Sequence, residues 1–326
     1  MMSLYHYDWY NSGNEKNKGS GAKTMRNAGN NSDKITADFF DSLLVETRYM
    51  DAGIADTKMK LWGEVYETPI TTAALSHLHN TAADGMVKYA EGAFQAGALH
   101  FVGMGSDEEL EAIIKTGAKT VKIIKPHEDN DEVYRKIEHA VKAGCIAVGM
   151  DIDHAFSGNG GYDNVMGLPM KAKSTDEIAD FIKYGDLIAG RKMPFVVKGV
   201  LSAHDAAKSI EAGASAIVVS HHHGMIDYAV PPLMVLPEIL EVTEGKIPVF
   251  VDCGFETGMD CYKALALGAT AVSVGRSLMP YLKDGGKAVG DRITEMNNEL
   301  KAVMNRTGVK DLAHFDKCVI HERRFL

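Results

Sequence analysis

Short apolar runs alternate with amphipathic segments along most of the chain. The apolar runs are rich in valine, isoleucine and alanine and have strand length, which is typical of strands buried on both faces of a parallel sheet. Strands are predicted at residues 68–74, 99–103, 120–125, 146–151, 194–198, 216–220, 247–253 and 271–275. Helices are predicted between and after them, at residues 84–96, 107–116, 131–143, 175–184, 203–212, 236–242, 258–267 and 288–306.

Eight strands that alternate with helices give the strand count of a (β/α)8 TIM barrel, which is an α/β fold. A doubly wound sheet would carry a Gly-x-Gly-x-x-Gly turn after its first strand, whereas Ala73-Ala74-Leu75 stands there. We therefore predict a single barrel domain over residues 1–326, with an N-terminal arm at 1–45 and a C-terminal helix and tail at 285–326. A short helix is expected within the arm at residues 38–44.

Charge and composition narrow the partners and the compartment. The net charge of −9 and the absence of a basic run argue against a nucleic-acid partner. The longest apolar runs have only strand length, so no membrane span is predicted. The four cysteines show no Cys-x-x-Cys spacing, which favours a reduced, cytoplasmic protein over a disulfide scaffold.

Candidate chemistry lies where the predicted strands end. Lys198 closes the fifth strand, and three histidines, His221, His222 and His223, follow the sixth. Parallel barrels carry their active sites at this edge, and the long loops at 152–174 and 221–232 lie there too. Consecutive residues in an extended chain point to opposite sides, so the three histidines cannot easily ligate one ion and no metal is predicted.

The loops after the seventh and eighth strands form a second candidate. Asp252 and Gly254 follow the seventh strand, and Gly275 and Arg276 follow the eighth. In a (β/α)8 barrel these two loops commonly hold a phosphate on backbone N–H groups, and an arginine adds a charged fork. Taken singly, each loop is equally well explained as an ordinary turn with a surface ion pair. Taken together, the two loops favour a phosphate site.

Three stretches of sequence resemble a known family. They are KGVLSAHDAAKSIEAGASAIVVSHHHG from Lys198, DCGFETGMDCYKALALGA from Asp252, and VSVGR ending at Arg276. They resemble the FMN-dependent α-hydroxy-acid oxidases and dehydrogenases, which include glycolate oxidase and lactate oxidase. The similarity runs from residue 8 to about residue 308 and is strongest at 194–276. It implies a barrel fold, FMN as cofactor, a small-molecule substrate and a homo-tetramer.

The resemblance also implies a role for individual residues. Cofactor contacts fall on Ala73 and Ala74 near flavin N5, Lys122 facing the pyrimidine ring, Lys198 beside N1 and the C2 carbonyl, and Asp252, Gly254, Gly275 and Arg276 at the ribityl phosphate. Counting the loop forward from Lys198 makes His222 the catalytic base, whereas counting backward from Asp227 selects His221. Strand register favours His222, and Asp151 matches the aspartate that orients it.

The chain departs from the family where the substrate carboxylate is gripped. Met225 or Gly224 stands at the place of one arginine, and the loop at 152–174 carries no arginine. Trp9 stands at the place of the tyrosine that roofs the site, and Tyr10 matches its neighbour. A bidentate arginine clamp cannot be replaced by methionine or glycine. We therefore expect Trp9, Tyr10 and Met225 to shape a site for a CH–OH compound other than a simple small 2-hydroxy acid.

Two other functions are compatible with these residues. One is an FMN-dependent isomerase related to the type 2 isopentenyl diphosphate isomerase, which would need reduced flavin without net oxidation of substrate. The other is a flavin-binding protein without catalysis, suggested by the missing arginines. The presence of both His222 and Asp151 favours an oxidoreductase.

Overall fold

The computed structural model describes residues 31–323. In chain order the strands are β1 (Leu43–Val45), β2 (Met59–Leu61), β3 (Glu64–Tyr66), β4 (Ile70–Thr72), β5 (His100–Val102), β6 (Thr120–Ile124), β7 (Ala147–Asp151), β8 (Asn164–Val165), β9 (Leu168–Pro169), β10 (Phe195–Val200), β11 (Ala216–Val219), β12 (Val249–Val251), β13 (Ala271–Val274) and β14 (Ile320–Glu322). The α-helices are α1 (Asn31–Ser42), α2 (Gly85–Gln95), α3 (Asp107–Lys115), α4 (Asn130–Ala143), α5 (Thr175–Ala189), α6 (Ala203–Ala212), α7 (Pro232–Thr243), α8 (Gly258–Ala266) and α9 (Gly286–Arg306).

Eight parallel strands form a closed barrel. They are hydrogen-bonded in the order β4-β13-β12-β11-β10-β7-β6-β5. The remaining seam lies between β4 and β5, where the Thr72 N–H donates to the Leu99 carbonyl at 3.1 Å and a parallel bridge joins Leu75 to Val102. The predicted TIM barrel and all eight of its predicted strands are confirmed.

The barrel strands are somewhat shorter than the apolar runs that predicted them. The run at 247–253 becomes Val249–Val251, because the chain leaves the sheet at its carboxyl end. Cys253 and Gly254 both have positive φ, +71° and +84°, which is incompatible with continued strand pairing. The apolar pattern thus predicts where each strand is buried, and the local backbone decides where it stops.

Alternate side chains of the strands fill the barrel interior. The buried interior residues are Leu99, Phe101, Val121, Ile123, Ala147, Val196, Ala216, Val218, Phe250 and Ala271. Residues between them on the strands, such as Ile124 and Val197, face the helices instead. This alternation follows from the two-residue period of a strand and fixes which side chains reach the mouth.

A short hairpin covers the amino end of the barrel and was not predicted. Strands β2 and β3 pair antiparallel, and Met59, Leu61 and Tyr66 pack on the interior residues. The hairpin is tied to the amino ends of two barrel strands, since the Glu67 N–H donates to the Gly97 carbonyl at 3.0 Å and Lys119 pairs with Glu64 at 2.9 Å. Strands of three residues carry too little periodicity to be recognised in a sequence.

The helix expected at residues 38–44 was misplaced. The structure has α1 over Asn31–Ser42, and the next three residues form β1, paired antiparallel with β14. Helix α1 lies across the carboxyl edge of the barrel. The Ser32 hydroxyl accepts from the Ala229 N–H at 2.9 Å and donates to the Ile226 carbonyl at 2.8 Å, and Phe40 contacts Phe255 edge-on at 5.2 Å. No helix within residues 31–323 is long and apolar enough to span a bilayer.

We predict that the hairpin contributes to stability through its apolar contacts. Leu61 is buried against the barrel interior, so Leu61→Ala should lower the free energy of unfolding by about 2–5 kcal/mol. Leu187→Ala is the matched control, because this leucine is exposed, and it should change stability by less than about 0.5 kcal/mol. Urea denaturation followed by circular dichroism compares the two variants. Equal effects would show that the hairpin is not part of the core.

Candidate active site

Charged side chains of alternating sign line the barrel mouth. Lys125 follows β6, Asp151 ends β7, Lys198 lies in β10 and Asp252 follows β12, and all four are buried. The Lys125 ammonium lies 2.8 Å from Oδ2 of Asp151, and the Lys198 ammonium lies 3.0 Å from Oδ1 of the same carboxylate. Lys198 is also 3.7 Å from Asp252. Asp151 therefore bridges two lysines.

This network fixes the protonation of its members. Burial alone would raise the pKa of Asp151, but Lys125 and Lys198 outweigh it and hold that pKa well below its ordinary value. Burial alone would lower the pKa of Lys198, but Asp151 and Asp252 outweigh it and raise that pKa above its ordinary value. Lys198 is therefore a permanently charged ammonium at the mouth, with little freedom to leave it.

Lys122 does not belong to this network, contrary to the expectation that it faces the flavin. Val121 and Ile123 point into the barrel, so Lys122 points outward and Lys125 points inward again. The Lys122 ammonium contacts the Gly103 carbonyl at 2.5 Å, and burial lowers its pKa to about 8. Lys125 is therefore the lysine of this segment that points into the barrel mouth.

The loop after β11 holds His222 in a tight turn. The His222 N–H donates to the Ser220 hydroxyl at 3.0 Å, and His222 and His223 both have positive φ, +48° and +57°. The N–H groups of Gly224 and Met225 close the turn on the His221 carbonyl at 2.9 and 3.2 Å. Left-handed backbone at two adjacent histidines is costly, and such strain commonly occurs at functional sites. Met225, expected near the substrate, is half-buried in this turn.

Asp153, rather than Asp151, is the carboxylate nearest to His222. Both oxygens of Asp153 lie 3.1 Å from His222 Nδ1, whereas Oδ1 of Asp151 lies 3.9 Å away. Asp153 reaches this place because a 3₁₀ turn at Ile152–Ala155 folds the chain back after β7. It also needs the glycine at position 199, since a Cβ there would lie 2.4 Å from the Asp153 carboxyl carbon. Asp151, expected to pair with His222, lies at 3.9 Å from that ring and is in closer contact with the two lysines.

The contacts of His222 determine its tautomer. Nδ1 faces the Asp153 carboxylate at 3.1 Å and the Lys198 ammonium at 3.3 Å. A carboxylate can only accept a hydrogen bond, so the Nδ1–H group donates to Asp153 and Nε2 carries the lone pair. The carboxylate orients the ring with Nε2 as its proton acceptor, which is the arrangement of a general base.

His154 faces that lone pair and was not singled out by the sequence. The Nε2 atoms of His154 and His222 lie 3.1 Å apart, with the rings edge to face at 4.3 Å. Burial, with smaller contributions from Lys125 and His222, lowers the pKa of His154 to about 3, so its ring is neutral and its Nε2–H group donates to His222. On its other side, His154 Nδ1 lies 3.7 Å from Asp163.

His221 is engaged on both ring nitrogens. Its Nδ1 accepts from the Gly224 N–H at 3.0 Å, and its Nε2 lies 2.8 Å from the Thr36 hydroxyl of α1. Neither nitrogen is left for a substrate. This geometry supports His222 over His221 as the base, an alternative that the loop length had left open.

The two loops expected to hold a phosphate lie at the same edge. Arg276 follows β13 and opens a 3₁₀ helix at Arg276–Asp284, while Cys253 and Gly254 form the left-handed turn after β12. The Cβ position of Gly254 is covered by Thr36 and Phe40 of α1 at 3.0 Å, so α1 forms one wall of this region. Asp252 is directed to Lys198 rather than to Arg276.

Ala73 and Ala74 complete the edge on the β4 side. The Ala73 N–H donates to the Val274 carbonyl at 2.8 Å, which holds the residues after β4 beside those after β13. A Cβ at Gly275 would lie 3.1 Å from the Ala73 methyl group, so only a small residue fits each position. Trp9 and Tyr10, expected to roof the site, lie outside the described residues.

The residues present suit FMN. A buried ammonium at Lys198 matches a ring that gains negative charge on reduction, and Arg276 with the left-handed turn at Cys253-Gly254 matches a phosphate. Between these two cations the chain carries the small residues Ala73 and Gly275, which pack closely against each other. The chain thus offers one cation for each end of the cofactor.

Asp151, His154 and His222 also place three potential metal ligands within 4.8 Å of one another. Both carboxylate oxygens of Asp151 already contact lysine ammonium groups. A dication would lie beside two positive charges, which is unfavourable. We therefore assign the group to proton and charge chemistry.

Comparisons with known proteins agree with this geometry. The FMN-dependent dehydrogenase family matches residues 20–185 and 176–322. An L-lactate oxidase of Lactobacillus jensenii is 32% identical over 292 residues, covering 80% of this chain and 71% of that enzyme. Glycolate oxidase 3 of Arabidopsis thaliana is 27% identical over 311 residues, covering 85% of this chain and 84% of that enzyme. A solved mandelate oxidase variant with a monooxide FMN adduct has a TM-score of 0.80 and 25% identity, covering 90% of this chain and 91% of that one.

We predict that Asp151 is essential to the stability of the mouth. Asp151→Asn leaves two buried lysines without their shared partner and should lower the free energy of unfolding by about 3–5 kcal/mol. Asp180→Asn removes an exposed partner of Lys183 and should cost about 1 kcal/mol or less. Urea denaturation measures both variants.

A rescue experiment checks the directions of Lys122 in β6 and of Lys125, which follows it. In the Asp151→Asn background, Lys125→Met should restore part of the lost stability, because it removes one uncompensated charge. Lys122→Met should not, because that side chain points to the other face of the strand. Rescue by the Lys122 variant would contradict the register described here.

Proposed function

Because this chain belongs to the family of FMN-dependent dehydrogenases, we propose that His222 is the base of a flavin-linked oxidation of a CH–OH group. The chain is an FMN-dependent oxidoreductase, and its relatives named above are oxidases, so nothing favours the isomerase alternative. The observation that carries the proposed role is the position of His222, with Nδ1 at 3.1 Å from Asp153 and Nε2 free of any carboxylate contact.

The proton chemistry follows from the ring contacts. FMN, when bound, supplies the acceptor for the two electrons that leave the substrate. His222 takes the substrate proton on Nε2, and the positive charge that develops on its ring is stabilised by Asp153 at Nδ1. The Nε2–H group of His154 has to leave His222 Nε2 first, so the substrate displaces this hydrogen bond.

The cations have separate roles in this proposal. Lys198, fixed between Asp151 and Asp252, would supply a permanent positive charge to stabilise the ring as it gains electrons. Arg276, with the backbone at Gly254 and Gly275, would hold the phosphate. Lys125 maintains Asp151 as an anion and so keeps Lys198 in place.

The proposed substrate is a neutral or larger CH–OH compound. Arg276, the arginine that follows β13, lies at the phosphate end of the site rather than at His222. The ammonium groups near His222, those of Lys125 and Lys198, are already paired with carboxylates. A substrate carboxylate would therefore find no uncommitted cation and would be desolvated at a cost.

The proposal extends to compartment and assembly. We propose a cytoplasmic protein, because all four cysteines are free thiols and three of them are buried. The homo-tetramer expected from the resemblance stays a prediction, and size-exclusion chromatography with light scattering measures it.

We predict that His222→Ala slows substrate reduction of bound FMN by about 10²–10⁴-fold, the usual contribution of a general base. FMN binding should remain, since His222 is proposed to act on substrate. His221→Ala should slow the same step far less per FMN-loaded protein, and His204→Ala, at an exposed position on α6, should leave it unchanged. Anaerobic stopped-flow absorbance measures the rate. A larger loss in the His221 variant would reassign the base.

Substrate charge is tested with matched acid and amide pairs. We predict that lactate and glycolate bleach the flavin at least about tenfold more slowly than lactamide and glycolamide, because charge-assisted hydrogen bonds to the carboxylate are missing. Mandelate and mandelamide extend the comparison to a larger side chain. Anaerobic bleaching at equal concentrations gives the ratio. Faster bleaching by the acids would contradict the proposed substrate class.

A further inference from the structure

The proposed phosphate ligand already has an anionic partner. Nη1 of Arg276 donates to Oδ2 of Asp33 at 2.8 Å, and Asp33 lies in the first turn of α1. The side chain of Arg276 is 48% exposed and that of Asp33 is 30% exposed. The guanidinium that would meet a phosphate is therefore reachable from solvent, but it is already paired with a carboxylate. The structure explains why this carboxylate stays there.

Helix α1 is anchored on both sides of Asp33. Ser32 bonds the backbone of Ile226 and Ala229 in the loop after β11. One and two turns further along the helix, Thr36 contacts His221 at 2.8 Å and Phe40 packs on Phe255. The packing of helix α1 therefore places Asp33 next to Arg276.

The neighbouring histidines do not neutralise Asp33. Burial, with a smaller contribution from the charge of Arg276, lowers the pKa of His223 to about 3. Burial also lowers the pKa of His221. Both rings are neutral at pH 7, so Arg276 is the cation that faces Asp33 among the described residues. A phosphate that approaches Arg276 thus meets a guanidinium whose charge is already balanced by Asp33, and it is repelled by the Asp33 carboxylate.

We propose that Asp33 competes with the FMN phosphate for Arg276 and so lowers the affinity of the chain for FMN. This inference rests on the proposed role of Arg276. It assigns to α1 a function in cofactor binding: the helix sets how tightly the phosphate end is held, independently of the contacts at the flavin ring.

Asp33→Asn tests the inference with little change of shape. The amide oxygen still accepts from Arg276, while the charge disappears. A unit negative charge about 5 Å from a phosphate of charge about −1.5 to −2 in a water-like dielectric changes affinity by about tenfold, so the variant should bind FMN about tenfold more tightly. The gain should shrink in 1 M salt, where screening acts over about 3 Å. Riboflavin, which lacks the phosphate, should bind both proteins equally.

Asp38→Asn is the matched control. It lies on the same helix and removes the same charge, but Asp38 is exposed and pairs with Lys34. Its affinity for FMN should equal that of the wild type, which separates the position of the charge from the net charge. The dissociation constants are measured by quenching of flavin fluorescence when FMN or riboflavin is added to the full chain after removal of bound flavin.

Arg276→Gln distinguishes the two ways in which the inference can fail. If this variant binds FMN as well as the wild type does, the proposed phosphate site is wrong and the inference falls with it. If it weakens FMN but not riboflavin, the phosphate site stands. In that case, unchanged or weaker FMN binding by Asp33→Asn overturns the inference alone and shows that Asp33 instead positions the guanidinium.

Discussion

The buried ion pair between Lys198 and Asp151 is the contact on which the site depends. Removing either charge from water is costly, and the cost is offset only if the partners stay in close contact. The two oxygens of Asp151 contact Lys125 and Lys198 at 2.8 and 3.0 Å, closer than the 3.9 Å that separates this carboxylate from His222. As a result, the two aspartates have different partners: Asp151 pairs with Lys198, and Asp153 orients His222.

That division requires a backbone that only glycine supplies. Gly199, directly after Lys198, has a φ of +90° and leaves the space that the Asp153 carboxyl group fills. The lysine and the second aspartate are thus coupled through one small residue in β10. A side chain at position 199 would displace Asp153 from His222 and leave the imidazole without its orienting carboxylate.

The sequence predicted the barrel well because each strand is buried on both faces. Such strands form continuous apolar runs, and eight of them with intervening helices leave few architectures. The direction of individual side chains was harder to predict, because a shift of one residue along a strand turns each side chain to the opposite face. Lys122 and Lys125 are three positions apart on one strand, and only the inward alternation of Val121 and Ile123 shows which of them reaches the mouth.

Other parts of the site could not be predicted because they depend on contacts between distant segments. His154 meets His222 across 68 residues of chain, and Asp33 meets Arg276 across 243. Neither pair leaves a local signal, since a histidine or an aspartate in a polar loop or a first helical turn is unremarkable by itself. The hairpin β2–β3 was not predicted because its three-residue strands are too short to show an alternation of hydrophobic and polar residues.

The central claim is that the charge of Lys198 faces the flavin ring. The measurement that tests it most directly is the reduction potential of bound FMN in the wild type and in Lys198→Met. A fixed cation stabilises the electron-rich reduced ring, so the variant should have a potential lower by about 30 mV or more, which corresponds to about 1.4 kcal/mol for a two-electron couple. An unchanged potential in a variant that still binds FMN would show that the ammonium points elsewhere.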